Sequence, residues 1–229
     1  MSDPSAAERA QALAELEARA LVCTDCALHE SRTNVVFGSG DPNADVMFVG
    51  EGPGQSEDEQ GLPFVGPSGR LLEQLLGEIG LTRAEVYIGN VVKCRPPRNR
   101  DPRPDEIDAC KGYLRTQLEL IDPQVVVTLG NFATKLLLRT ETGITRLRGR
   151  AYEWWGGRYL VPTFHPAAAL RGSARVLEES RYDFGLVRAV LDGNLSVEGS
   201  LSAAEDVDAA LAPPPNEPPP AEQLDLFDP

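Results

Sequence analysis

Short, largely apolar runs alternate along this chain with stretches whose apolar residues recur at helical spacing. Val46-Met47-Phe48-Val49 (within a strand expected at 45–50), Val86 to Val92, and Gln124-Val125-Val126-Val127-Thr128-Leu129 have the length and continuity of buried strands. Between them lie helical patterns. Residues 5–20 are amphipathic, and Leu71, Leu72, Leu75, Leu76 and Ile79 share one helical face, with Ser68 as a possible cap and Gly80 as a stop. Pro104 suits a first helical turn, with Asp105 and Glu106 at its positive end, and that helix is expected to run to about Leu120. Asn131 to Leu138 predicts another helix, Ala151 to Phe164 two short strands around Gly156-Gly157, and the last helix ends near Leu191. The alternation predicts an α/β fold, a three-layer α/β/α domain over residues 1–192 with a central, mainly parallel four-stranded sheet. Residues 193–229 are rich in Pro, Ala and acids and are expected to be disordered. There are no internal repeats.

The stretch from Gly50 to Gly69 stands out between the first strand and the helix that follows. It holds six glycines together with Glu51, Glu57, Asp58, Glu59 and the aromatic Phe64. Ligands of open α/β sheets bind beyond the carboxyl ends of the strands, where this loop is delivered. Neither G-x-G-x-x-G nor a Walker motif is present, so a phosphate cradle is a poor reading. Acid, aromatic and closely approaching backbone suit a flat, neutral ligand and an oriented water.

Composition narrows the class. The chain shows no basic start followed by an apolar run, and nothing approaching the roughly 18 apolar residues of a membrane span. A soluble, cytosolic protein is expected. Its net charge is −13, but the nine acids after Arg188 supply −9 of that, leaving −4 for residues 1–191. Within that body, Lys93 to Arg103 carries five basic residues against Asp101, and Arg146, Arg148 and Arg150 form a second cluster. Such local patches are compatible with nucleic-acid binding.

Four cysteines fall as Cys23-x2-Cys26, Cys94 and, after fifteen intervening residues, Cys110. In a reducing compartment they suggest an iron–sulfur cluster, a zinc site or unliganded thiols. Any metal there would pin the intervening Arg/Pro loop. His165, before Pro166 and at the end of the strand Val161–Phe164, can donate a hydrogen bond to an oxygen that becomes anionic. Asn90, at the end of the second strand, offers a donor and an acceptor side by side, as reading an imide edge requires.

Taken together, G-E-G-P-G-x-x-E-D at 50–58, G-x-P-F-V-G at 61–66, V-K-C-R-P-P at 92–97 and H-P-A-A-x-L-R at 165–171 resemble the bacterial family 4 uracil-DNA glycosylases, the thermostable type with a [4Fe–4S] cluster. The resemblance covers about residues 20–190. It implies a cluster on Cys23, Cys26, Cys94 and Cys110, and hydrolytic release of uracil from single- or double-stranded DNA after base flipping, opening base excision repair. Phe64 would stack on the flipped uracil, Asn90 pair with its N3–H and O4, and Gly52 touch it through the main chain. His165 would hydrogen-bond O2 and stabilise the departing anion, while Glu51 would orient the attacking water. Leu170 or Arg171 would wedge into the minor groove, and Arg95, Arg98, Arg100 and Arg103 would hold phosphates. Where the best-known relatives exclude the thymine methyl with a Tyr, this chain has Gly54, which leaves that task to Glu57 or its neighbours. The competing reading is a non-catalytic iron–sulfur protein in electron transfer or DNA binding, which leaves Glu51, Phe64, Asn90 and His165 without a shared purpose.

The last residues, Gln223-Leu224-Asp225-Leu226-Phe227, resemble the peptide by which bacterial repair proteins dock on the DNA sliding clamp. Gln223 would bond at a pocket rim, and Leu224, Leu226 and Phe227 would be the apolar anchors.

Overall fold

The computed structural model describes residues 5–172, 174–195 and 200–202. In chain order the strands are β1 (Ser39–Gly40), β2 (Val46–Gly50), β3 (Tyr87–Asn90), β4 (Val125–Leu129), β5 (Ala151–Trp154), β6 (Arg158–Thr163) and β7 (Ser200–Ser202). The helices are α1 (Ala6–Leu21), α2 (Gln55–Gln60), α3 (Pro67–Glu78), α4 (Pro104–Ile121), α5 (Asn131–Leu138), α6 (Ile144–Leu147), α7 (Pro166–Arg171) and α8 (Ala174–Leu191).

The strands form one sheet in the order β1-β3-β2-β4-β6-β5-β7. Its centre, β3-β2-β4-β6, is the parallel four-stranded unit the apolar runs imply. The sheet is wider than the expected four strands: β1 pairs antiparallel with β3, β5 antiparallel with β6, and β7 parallel with β5. These additions lie at the edges, where two to four residues suffice and no continuous apolar run is needed. Strand β7 falls within the segment 193–229 that the sequence reading expects to be disordered. The rest of the tail from residue 203, including Gln223 to Phe227, lies outside the described residues.

All five residues of β2 and of β4 are buried, since both faces of the sheet are covered. Alternate side chains supply two cores. Met47, Val49, Tyr87, Val126 and Leu160 pack with α1, α4 and α5. Val46, Phe48, Ile88, Val127 and Val161 pack with α3 and α8, where Phe48 stacks on Phe184 at 5.6 Å. Each such Leu or Phe contributes about 1.5–3 kcal/mol by leaving water. Helix α3 begins at Pro67 with Gly66 as its cap, so Ser68 does not cap it as its chemistry suggested. Helix α2 was not expected. Glu57, Asp58 and Glu59, read as loop, lie in this six-residue helix, whose one buried side chain is Asp58.

Candidate active site

Parallel strands end on the same edge of the sheet, and beyond β2, β3, β4 and β6 the connections surround a cleft of about 970 Å³. Glu51, Gly52, Phe64, Asn90 and His165 all line it, from four separate segments.

The glycine-rich loop is held by polar contacts as well as by the burial of Phe64 in the core. Glu57 Oε1 accepts from the backbone N–H of Val65 at 3.0 Å and of Gly66 at 3.1 Å. Asp58 Oδ1 accepts from Thr33 N at 2.9 Å and Asn34 N at 3.3 Å, tying the loop to the stretch before β1. Arg83 donates to the carbonyls of Phe64, at 2.9 Å, and Pro63. These anchors keep Phe64 at φ +52°, a left-handed conformation that costs an L residue about 1–2 kcal/mol. Two glycines permit the close approach. A Cβ on Gly69 would stand 1.7 Å from the Phe64 carbonyl oxygen, and one on Gly50 would stand 2.4 Å from Asn90 Oδ1 and 2.9 Å from the Phe64 ring.

Asn90 is 2 % exposed, and its Oδ1 has no hydrogen-bond partner among the described residues. A buried acceptor left so costs about 1–3 kcal/mol, which a ligand N–H would restore. His165 Nδ1 accepts from the N–H of Ala167 at 3.1 Å, which puts the proton of the neutral ring on Nε2. Burial, aided by Arg171, pushes the His165 pKa down to about 4, so the ring is neutral near pH 7 and still donates from Nε2. Its plane lies 30° from that of Phe64, with ring centres 5.6 Å apart. Burial first, and the Asp101 charge second, raise the Glu51 carboxyl to about 7. Apolar plate, unpaired acceptor, neutral donor and half-ionised acid therefore share one cavity.

The His165 segment has its own support. Arg148 lies over the Phe164 ring at 5.4 Å and makes paired bonds of 2.9 and 2.7 Å to Asp183, whose side chain is fully buried. Gly149 N adds a third bond to Asp183 at 2.9 Å.

The basic residues divide. Arg100 and Arg171 line the cleft, whereas Arg95, Arg98, Arg103 and Leu170 lie outside its wall. Arg98, Arg103, Arg171 and Leu170 are exposed, the last to 51 %. Arg100 is committed to the buried Glu106 carboxylate by bonds of 2.8 and 2.5 Å, and Lys93 is 1 % exposed. Two of the five charges that made Lys93 to Arg103 look like an open basic patch are thus spent inside the protein. Arg83, the Arg148–Asp183 pair and the bracing role of Glu57 had no local signal, since their partners are brought together only by the fold.

On the other side of β3, Cys23, Cys26, Cys94 and Cys110 line one small cavity. The first pair follows α1, Cys110 is in α4, and the packing of these helices brings them together. Arg32 Nη1 donates to Cys94 Sγ at 3.2 Å, and Lys93 N to Cys110 Sγ at 3.3 Å. Burial raises the thiols of Cys26 and Cys94, and pushes Cys110 up to about 12. All four are free cysteines, and the described residues contain no group of three or more His, Cys, Asp or Glu closed around a single-ion position. Four soft sulfurs with N–H donors already aimed at two of them fit a bulkier thiolate-held centre.

An amide and a neutral imidazole set beside an aromatic ring in a cleft at the carboxyl edge of a parallel sheet have the chemistry to receive a planar heterocycle. A family model for the uracil DNA glycosylase superfamily matches residues 37–184. Over 156 residues the chain is 49 % identical to a type-4 uracil-DNA glycosylase of Thermotoga maritima, covering 68 % of this chain and 81 % of that one. It is 46 % identical over 186 residues to the Sulfurisphaera tokodaii enzyme of that name, covering 77 % and 83 %, and 44 % identical over 181 residues to that of Archaeoglobus fulgidus, covering 76 % and 90 %. The chain belongs to the uracil-DNA glycosylase superfamily and, within it, to the type-4 family.

Proposed function

We propose that the chain hydrolyses the N-glycosidic bond of deoxyuridine in DNA, with the cleft beyond β2 and β3 as its uracil pocket. The observation that carries the residue roles is the unpaired, buried Asn90 Oδ1 beside Phe64 and His165. A flipped uracil slides against the Phe64 ring. Asn90 Oδ1 accepts its N3–H, and the amide Nδ2 donates to O4. As the bond between N1 and C1′ breaks, its electron pair stays with uracil, and charge spreads onto O2. The His165 Nε2–H donates to that oxygen and holds the anion without transferring a net charge of its own. The sugar is left oxocarbenium-like, and the Glu51 carboxylate steadies it and orients a water. Water adds to C1′ and its proton passes to Glu51; that proton is then lost to solvent while the released uracil anion takes one up, which leaves free uracil, the Glu51 carboxylate and an abasic site with the backbone uncut. Backbone groups at Gly52 border the base. Glu57, with its Oε2 2.7 Å from where a Gly54 Cβ would stand, fills the space that would otherwise admit a thymine methyl.

Leu170 and Arg171, at the exposed end of α7, would fill the gap left by the base, while Arg95, Arg98 and Arg103 meet phosphates. Arg100 supports this loop through Glu106 rather than meeting DNA alone. Cys23, Cys26, Cys94 and Cys110 would hold a [4Fe–4S] cluster, which supplies a cross-link between α1, α4 and the arginine loop rather than redox chemistry. No helix among the described residues is long and apolar enough to cross a membrane. We take the protein to act as a monomer on nucleoid DNA in the cytoplasm.

Release of free uracil from a single-stranded uracil-containing oligonucleotide tests the reading. A parent protein that releases none overturns it. Deleting residues 223–229 should abolish binding to the sliding clamp and leave oligonucleotide cleavage at the parent rate. Clamp binding that survives removes Gln223, Leu224, Leu226 and Phe227 from that role.

A further inference from the structure

Lys93 is buried completely, yet it contacts no carboxylate among the described residues. Its ammonium donates to the backbone oxygen of Asn90 at 2.8 Å and to Gln117 Oε1 at 2.6 Å, and stands 5.9 Å from the centre of the Phe37 ring. Gln117 is itself fixed, since its amide donates to Phe37 O at 3.0 Å and to the Tyr87 hydroxyl at 3.1 Å. The chain Asn90–Lys93–Gln117–Tyr87 therefore closes beneath the end of β3. The other side of Lys93 faces the cysteines: its backbone N–H reaches Cys110 Sγ, Cys94 follows it directly, and these two sulfurs are the groups able to answer its charge.

Strand β3 ends at Asn90 in register with Gly50, and Val91 N and Val92 N continue to the carbonyls of Gly50 and Glu51 at 2.9 and 3.1 Å. Those bonds fix the β2 side of the strand end. The Asn90 carbonyl is fixed by Lys93. A rotation of that peptide would swing the side-chain amide out of the plane of a base lying on Phe64.

We propose that Lys93 is a positioning residue for Asn90, holding the base-reading amide in line and joining the uracil pocket to the cysteine site through one side chain. The inference rests on the base-reading role given to Asn90 above and adds the group that aims it. A buried ammonium is costly without opposing charge, and a centre held by four thiolates supplies that charge on the side away from the pocket. Loading of the cysteines then bears on base recognition through Lys93 as well as through the arginine loop.

A double-mutant cycle on the full-length protein tests this. The parent, Lys93→Met, Asn90→Ala and the double variant are compared for kcat and KM on a uracil oligonucleotide, with iron per chain and the visible absorption of the cluster recorded for each. Lys93→Met should lower kcat/KM at least about tenfold in the parent and change it less than about twofold in the Asn90→Ala background, with iron unchanged. Equal factors in both backgrounds overturn the inference, and so does loss of iron in parallel with activity, which makes Lys93 a support of the cysteines alone. Gln117→Met leaves Lys93 and all four cysteines in place but removes one acceptor. It should show the same coupling to Asn90 at smaller size, and additivity there counts against the inference even if Lys93→Met does not fold. Parent-level turnover by Asn90→Ala itself would instead overturn the base-reading role, and the inference with it.

Discussion

The uracil cleft and the cysteine cavity lie on either side of the same strand end, yet their polar groups are left in opposite states. In the cleft, Asn90 Oδ1 has no partner, Glu51 is raised to about 7 and His165 is lowered to about 4. Both of these shifts favour the uncharged form. In the cysteine cavity, sulfurs already receive N–H donors from Arg32 and Lys93, although burial holds them as thiols. On the proposed reading, a neutral, planar molecule with its own donors and acceptors would complete the first site, and a positively charged centre that displaces the thiol protons would complete the second. One strand end would then serve two ligands of unlike chemistry, because its neighbours differ in which partner they lack.

The largest expected effect tests the neutral side of this contrast. His165→Ala should lower kcat by about 10²–10³ with DNA affinity retained, since it removes a donor used mainly in the transition state; near-normal turnover would remove His165 from the anion-holding role. Next comes Glu51→Gln, with a loss of about 10²-fold at neutral pH. Glu51 works as the carboxylate, so the parent rate should fall as pH drops through about 7, and the variant should show no such limb. His165 protonates only near pH 4 and adds no change above pH 5. A parent profile flat from pH 6 to 8 would contradict the role of Glu51.

Cys110→Ser addresses the charged side. The protein should lose its iron and melt at least about 4 °C lower, the shift expected from as little as 2 kcal/mol in a chain of this size. Full uracil release without iron would contradict the structural role. The smallest effect concerns the cost of the cleft itself. Folding raises the Glu51 pKa, so it favours the protonated acid, and the parent loses stability as pH rises from about 4.5 to about 7. Glu51→Gln escapes that loss. It should be more stable than the parent by about 1 kcal/mol at pH 8, allowing for solvent screening, and by almost nothing at pH 4, as denaturant unfolding at the two pH values would read.

The parallel core was legible because strands covered on both faces must be apolar throughout, and β2 and β4 have that composition. The cleft residues were legible for a related reason: Glu51, Asn90 and His165 all stand at the ends of such runs. Helix α2 was not, because its one buried side chain is Asp58 and an apolar period never develops. The edge strands β1 and β7 are too short to carry a pattern. Charge misled where its partner was distant or its burial unseen. Lys93 and Arg100 count as surface cations in the sequence, while the fold gives one to Asn90 and Gln117 and the other to Glu106. Glu51 and Glu57 look alike on paper; only the two N–H groups of Val65 and Gly66 tell them apart.

The bond from Ala167 N to His165 Nδ1 also ties two parts of the site to one helix. The imidazole is the N-terminal cap of α7, the helix whose far end carries Leu170 and Arg171. The tip that would press into the duplex and the ring that would receive the extruded base are therefore two ends of one short rigid lever. The cap is formed in this structure, which leaves the Nε2 proton free to face the pocket. A substitution at Leu170 or Arg171 that displaces α7 would therefore be felt at His165 as well as at the duplex.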